Sequence, residues 1–407
     1  MIPSFSEGPA LGVLVLLATS GLTLFHLLVV AIVASVRKLR RRAQPQPRPP
    51  EKPLKLAFVV AVYNDALTIG PCIDSILAQS RRPDQIIVVD DASTDGTFEV
   101  LKKYRPKGVQ VVRMEANGGK TRALEKALTL VRTDLVAVTD ADSIVHRDYV
   151  KEIIPSFHDR KVAAVGGAVE SIPHTWVTAA RQVEYLITLK VDRKAEDAMG
   201  TLIVLPGVSS TYRVSVLRKL GFEHDTIAED FDLTFRMQKA GLKLAMNPRA
   251  LVYTSDPPTL KAYHRQLTRW YTDLWITVRK HRSMWGKKLF GAVEVPWLAL
   301  NMVAYSLFVI GFPIYLLVVN PRALPGFFFW EFVADAGFAL VAFAVYRRRD
   351  VLWSVVSRFP TRIIARWVTL TTLARVLVGR PGMAWTKLER RRTDAFLARQ
   401  ASEPAQT

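Results

Sequence analysis

From Lys55 onward the apolar positions fall into short β-branched runs separated by stretches of helical period, which predicts βαβ units on a mainly parallel sheet. The predicted strands are residues 56–62, 85–90, 109–113 and 135–140, with helices over 69–79 and 120–131 between them. Each strand opens into polar residues at its C-terminal end. In open α/β sheets that edge binds ligands, because strand ends and helix N-termini converge there on a crevice.

Toward both ends of the chain the pattern becomes continuous rather than alternating. Residues 11–36 carry no Lys, Arg, Asp or Glu and exceed the roughly 20 residues a membrane-spanning helix needs. A basic cluster at Arg37 to Arg42 follows this run, and Glu7 precedes it, so a retained anchor fits better than a cleaved signal peptide. Positive charge stays inside, which puts the N-terminus outside and the residues after Arg37 in the cytoplasm. Residues 43–53 are Pro-rich and read as a stiff linker. Residues 295–319 and 327–346 are two further hydrophobic candidates that form a hairpin around 320–325, going out and returning to Arg347. In 351–378, Arg358, Arg362 and Arg366 recur every four residues along one helical stripe, which predicts an interfacial or re-entrant helix.

Charge adds one decision. Fifty-six Lys and Arg against 36 Asp and Glu give a formal +20, which fits nucleic acid or anionic lipid. The excess sits beside the apolar runs, at 37–42, 347–349 and 390–392, so a membrane accounts for it and nucleic acid is not expected as a partner. The single cysteine, Cys72, has Ile73 and Ile76 as neighbours and reads as a small buried hydrophobe without chemistry. The boundaries expected are a membrane anchor over 1–36, a linker over 37–54, an α/β domain over 55–258, amphipathic interfacial helices over 259–291, transmembrane and interfacial helices over 292–379, and a basic tail over 380–407.

Several polar clusters at the strand ends carry candidate chemistry. Val88-Val89-Asp90-Asp91 followed by Ser93, Thr94 and Asp95 ends a strand with paired carboxylates, although a strand stop with a helix N-cap has the same composition. Asn117-Gly118-Gly119-Lys120 puts a flexible turn and a cation at a helix start, which suits a phosphate or a uracil edge and also an ordinary turn. Asp140-Ala141-Asp142 can hold a hard divalent cation while a diphosphate completes its shell, and an isolated solvated turn reads alike. Glu229-Asp230 precedes a helix over 231–240. Gln266, Arg269 and Trp270 lie in an amphipathic stretch with Tyr263, Tyr271 and Trp275, which an interfacial aromatic belt would also explain.

In order and spacing together, these clusters resemble the inverting family 2 glycosyltransferases of GT-A fold. The likeness is closest to the membrane-bound branch that contains hyaluronan, poly-N-acetylglucosamine, chitin and cellulose synthases, and it covers about 55–285. It implies a GT-A, Rossmann-like α/β domain flanked by transmembrane and interfacial helices. It further implies that Tyr63-Asn64 and Asp90-Asp91 form the uridine pocket, with Ala61, Lys120, Asp140 and Gln266 also on the donor. Asp140 and Asp142 become the metal motif for Mg²⁺ or Mn²⁺. Pro206-Gly207-Val208 and Arg213 resemble the acceptor-side loop, with Trp270 stacking on the acceptor. Asp230 becomes the general base beside Glu229, and Arg269 with the metal neutralises the leaving diphosphate. Where the family often has Pro-x-Tyr-Asn, this chain has Ala61, which removes loop stiffness only.

The implied partners are a UDP-sugar, a glycan or glycolipid acceptor and membrane lipids, with a homo-oligomer or export partner to complete a thin channel wall. The implied location is the cell membrane, multi-pass, with the catalytic domain cytoplasmic. The activity expected is processive synthesis of a β-linked polysaccharide from UDP-N-acetylglucosamine. A single-addition glycolipid synthase and an inactive glycan-binding or export scaffold are the alternatives.

Overall fold

The computed structural model describes residues 8–16, 32, 35, 50–226, 229–346 and 354–380. Most of the 11–36 span, most of the Pro-rich linker, the three basic clusters and the tail beyond Arg380 lie outside the described residues. The chain forms two compact units. One takes in Gln44–Ile172 and Leu202–Asp256; the other takes in Pro173–Thr201 and Pro257–Leu388 together with the described N-terminal residues. Residues 173–201, expected inside the α/β domain, therefore pack with the helical unit.

The first unit is built on an eight-stranded sheet in the order β3-β2-β1-β4-β7-β6-β8-β5. Its first four strands are β1 (Leu56–Val62), β2 (Gln85–Asp90), β3 (Gln110–Arg113) and β4 (Leu135–Asp140), all parallel and all within a residue of their predicted bounds. Alternation along these strands sends side chains to two separate cores. Leu56, Phe58, Val60 and Val62 of β1, with Ile86 and Val88 of β2, pack under helix Ile69–Leu77 through Ile69, Cys72, Ile73 and Ile76. Ala57, Val59, Ile87 and Val89 face the other way, against Ala123, Leu124 and Ala127 of helix Lys120–Leu130. A fully buried Val, Leu, Ile or Phe contributes about 1.5–3 kcal/mol, so covering both faces is what holds the parallel strands in register. Cys72 is fully buried, as expected; burial and the carboxylates of Asp142 and Asp140 push its thiol up, far from a reactive thiolate.

The rest of the sheet was not predicted. β5 (Ser143–Val145), β6 (Val162–Ser171), β7 (Ser210–Arg213) and β8 (Lys243–Thr254) join through antiparallel β4–β7, β6–β7 and β5–β8 pairs and a parallel β6–β8 pair, so the sheet is mixed. β6 contains Gly166-Gly167 in an Ala-rich run, and β8 contains Pro248 and a register shift, so neither carries a period-two signal. Gly167 is required where it stands: a Cβ there would lie 2.3 Å from the Ala250 carbonyl oxygen.

The second unit is helical. Helices Val295–Val319 and Leu324–Tyr346 occupy the predicted hydrophobic pair, joined by a short 3₁₀ turn at Pro321–Ala323. With its preceding π-turn, Phe290–Val319 is long and apolar enough to cross a membrane. Val15 of helix Gly8–Leu16 packs with Leu316 and Phe327 of the pair.

Helix Ser354–Leu377 corrects the expectation for the arginine stripe. Arg358 pairs with Asp335, and Arg362 reaches Glu331 at 2.6 Å and Asp335 at 3.5 Å; the two carboxylates are 1% and 2% exposed. Arg366 stacks over the Tyr305 ring at 4.4 Å. Glu331 and Asp335 sit four residues apart, as do Arg358 and Arg362, so two helical stripes match charge for charge. The stripe is therefore buried against acids instead of lying in a headgroup layer.

Candidate active site

β1 lies between β2 and β4, and strand register gathers the acidic residues at one edge. Val62 pairs with Asp90 and Ala61 with Asp140, so the carboxylates ending β2 and β4 flank the end of β1. The strand order reverses direction at this point, which is where open α/β sheets form a ligand crevice.

Asp90 is fully buried. Its Oδ1 accepts the Ser93 N–H at 3.1 Å, and Arg113 Nε lies 3.5 Å from Oδ2, which no hydrogen-bond donor reaches among the described residues. A buried carboxylate oxygen left in this state is suited to accept a donor from a ligand. Asp91 works differently: Oδ1 accepts Gly118 N–H at 2.8 Å and Oδ2 accepts Gly119 N–H at 2.7 Å. Both oxygens thus anchor the turn that delivers Lys120. Asn64, with φ +52°, accepts the Thr94 N–H at 2.7 Å, while its own N–H donates to Ser93 Oγ at 2.8 Å. These bonds staple the loop after β1, which carries Tyr63, to the loop after β2.

Lys120 bridges the two halves of the edge. Its Nζ lies 2.8 Å from Asp140 Oδ1 and 2.7 Å from Glu229 Oε1. Burial disfavours the ammonium, but Asp140 and Glu229 outweigh it and hold the group well above the usual lysine range. Asp230, the next residue, receives Gly207 N–H on Oδ2 at 3.0 Å and Phe231 N–H on Oδ1 at 2.9 Å. Burial first and the Glu229 charge second push its pKa up to about 6, with the Lys120 cation and the two N–H donors opposing. Gly207 fits closely here, since a Cβ would lie 3.2 Å from Asp230 Oδ2. The 205–207 loop is laced to helix Glu229–Lys239 a second time, where Leu205 N–H donates to Thr234 Oγ1 at 3.1 Å.

Asp142, 5% exposed, follows β4 and leads into β5. Among the described residues no group of three or more His, Cys, Asp or Glu side chains is placed to hold a metal unaided. Asp140 and Asp142 offer hard oxygen donors at the strand end, which fits Mg²⁺ or Mn²⁺ only if a diphosphate supplies further ligands.

Arg213 is not brought to this edge. It pairs in register with Leu135, at the opposite end of β4 from Asp140, and donates to the carbonyls of Val162 at 2.7 Å, Phe157 at 2.7 Å and Asp159 at 3.1 Å. Its role is to cap those carbonyls, and the acceptor assignment from the loop resemblance fails for it. Gln266, Arg269 and Trp270 lie on helix Leu260–Lys280 of the helical unit. There Trp270 packs near Tyr263 and Leu267 and meets the guanidinium of Arg181 at 4.9 Å. Tyr263 and Trp275 are buried, so they do not form an interfacial belt. Arg181 was missed: it is 1% exposed, pairs with Glu184 at 2.6 Å and donates to Tyr185 at 2.8 Å, and nothing in an amphipathic helical stretch marks such an arginine as internal.

Residues 53–273 match the family model described as glycosyltransferase like family 2. The chain belongs to this family. Poly-beta-1,6-N-acetyl-D-glucosamine synthase of Staphylococcus aureus (strain COL) is 27% identical over 219 residues, which is 53% of this chain and 53% of that protein. The Staphylococcus epidermidis protein of the same name is 24% identical over 268 residues, covering 63% and 65%. The match thus spans about half to two thirds of these relatives' length. Among solved structures, the mannosyltransferase PcManGT from Pyrobaculum calidifontis, in complex with GDP-Man and Mn²⁺, aligns with a TM-score of 0.59 at 20% identity, over 90% of this chain and 99% of that one. The GT-A fold is shared.

Proposed function

We propose that this glycosyltransferase is an inverting, metal-dependent polysaccharide synthase that extends a β-linked glycan from UDP-N-acetylglucosamine at the cytoplasmic face of a membrane. The observation that carries the chemistry is Asp230: a half-buried carboxylate whose pKa is pushed up to about 6, held by Gly207 beside Glu229 and Lys120. A base near that value is mostly ionised at neutral pH yet accepts a proton readily. Asp230 takes the acceptor hydroxyl proton as the new C–O bond forms, and the bond to the diphosphate breaks on the opposite face of the sugar. An α-linked donor then gives a β-linked product.

Asp90 accepts from the base or ribose of the nucleotide through its open Oδ2, and Lys120 contributes positive charge beside the diphosphate. Asp140 and Asp142 would hold Mg²⁺ or Mn²⁺, which would neutralise charge on the leaving nucleotide. The neighbour solved with GDP-Man and Mn²⁺ supports a divalent metal in this fold. The two staphylococcal relatives support N-acetylglucosamine as the sugar. Gln266, Arg269 and Trp270 are carried by family resemblance alone. Helix Phe290–Val319 supports a membrane location, and the multi-pass cytoplasmic arrangement follows from the charge distribution of the sequence.

The test uses purified full-length protein in lipid, a panel of radiolabelled UDP-sugars with and without Mn²⁺, and sizing of the product. A ladder of lengthening glycan from UDP-N-acetylglucosamine is expected; a single glycolipid product would replace processive synthesis by single addition. Asp230→Asn is expected to lower turnover by about 10²–10⁴-fold while nucleotide binding persists. Near-normal turnover by that variant would remove the base assignment.

A further inference from the structure

Lys120 is the first residue of helix Lys120–Leu130, where aligned peptide dipoles place partial positive charge and a lysine is normally unfavourable. Two carboxylates compensate it: the ammonium lies 2.8 Å from Asp140 Oδ1 and 2.7 Å from Glu229 Oε1. The backbone at this point is pinned, because Asp91 accepts the Gly118 and Gly119 N–H groups immediately before it. The four-carbon side chain is free to swing, since 33% of it is exposed. Lys120 is thus a tethered cation seated on Asp140, one of the two oxygen donors that fit Mg²⁺ or Mn²⁺ at this strand end.

Two cations brought to one carboxylate repel each other at close range. For a bare divalent ion to reach Asp140, the Lys120 ammonium has to withdraw toward a helix start that already repels it and whose N-cap, Gly119, has no side chain to cap it. A diphosphate changes that balance. It offers the ammonium another anion at the same helix end, where phosphate is favoured, and so releases Asp140. On the reading that Asp140 is a metal ligand, we propose that Lys120 holds Asp140 closed to a bare divalent cation and gives way only when a nucleoside diphosphate offers its ammonium another partner, so that metal and donor bind as one unit. By linkage, each of the two ligands then raises the affinity for the other through this side chain.

The test counts bound Mn²⁺ by electron paramagnetic resonance on the purified full chain in detergent, with Mn²⁺ alone and with Mn²⁺ plus UDP, so no sugar is transferred. In the unaltered protein Mn²⁺ alone should bind weakly and UDP should tighten it. Lys120→Met should bind Mn²⁺ alone about tenfold more tightly, the scale of one contact to a charged group, while the tightening by UDP shrinks by about the same factor. Lys120→Gln serves as a second variant should Lys120→Met lower the melting temperature. Arg122→Met removes an exposed cation from the same turn of helix and should change Mn²⁺ affinity less than about twofold. Unchanged or weaker binding of Mn²⁺ alone in a folded Lys120 variant would overturn the proposal. An equal rise in Arg122→Met would also overturn it, because that marks a general field and not a contact. Asp140→Asn separates these outcomes from failure of the metal reading. If it leaves Mn²⁺ binding with UDP unaltered, Asp140 is not a ligand and both readings fall; if it weakens binding while the Lys120 variants match the unaltered protein, only the Lys120 proposal falls.

Discussion

Lys120 shows how one side chain sets the character of its neighbours. Its cation lies between Asp140 and Glu229 and opposes the burial that raises Asp230. On the proposal that Asp230 is the base, it must be ionised to accept a proton, so turnover under saturating donor should fall about tenfold per pH unit below about 6. Lys120→Met removes the opposing cation and leaves Glu229 uncompensated, so the acid limb of the kcat profile should move to higher pH. A profile that keeps its midpoint while only KM rises would show that Lys120 serves the donor and not the base. The sequence showed Asp230 as one of two adjacent carboxylates before a helix. It could not show that Gly207 would donate to that residue from 23 positions away.

At the scale of elements, the turn 117–119 is held from a different strand end. Asp91 uses both oxygens on Gly118 and Gly119, which fixes where helix Lys120–Leu130 begins and so where the Lys120 ammonium sits. Asp91→Ala removes two hydrogen bonds to a charged acceptor, each of which typically contributes about 1.5–3 kcal/mol. The expected outcome is a lower melting temperature together with a raised KM for the nucleotide sugar. If calorimetry finds the same donor affinity, the turn is held by something other than Asp91. The four parallel strands and their two helices were legible because each repeats a strong period over many residues. β6 and β8 were not, since Gly166-Gly167 and Pro248 are accommodated by bulges and by partners distant in sequence.

Across the whole molecule, the most consequential difference from expectation is the arginine stripe. Arg362 is 10% exposed and Glu331 1%, 2.6 Å apart between two helices of the helical unit. Removing one partner of a buried pair leaves an uncompensated charge and typically costs about 3–5 kcal/mol, whereas replacing both with apolar residues is often neutral. Glu331→Ala should therefore lower the melting temperature in detergent by several degrees, and the double variant Glu331→Leu with Arg362→Met should recover most of that loss. Equal destabilisation by the single and double variants would place the pair's importance elsewhere. Glu331 and Asp335 inside an apolar run were the available signal, since ionisable residues at such positions almost always have a partner.

The sequence by itself determined the family, the parallel half of the sheet, and the identity of the acids at its edge, because strong periodicity and residue order are local properties. Tertiary structure alone decided which acids are anchors and which remain open, that Arg213 caps carbonyls at the far end of β4, and that the arginine stripe turns inward. Those outcomes depend on partners tens of residues away, and a charged side chain follows whatever partner the fold places within reach.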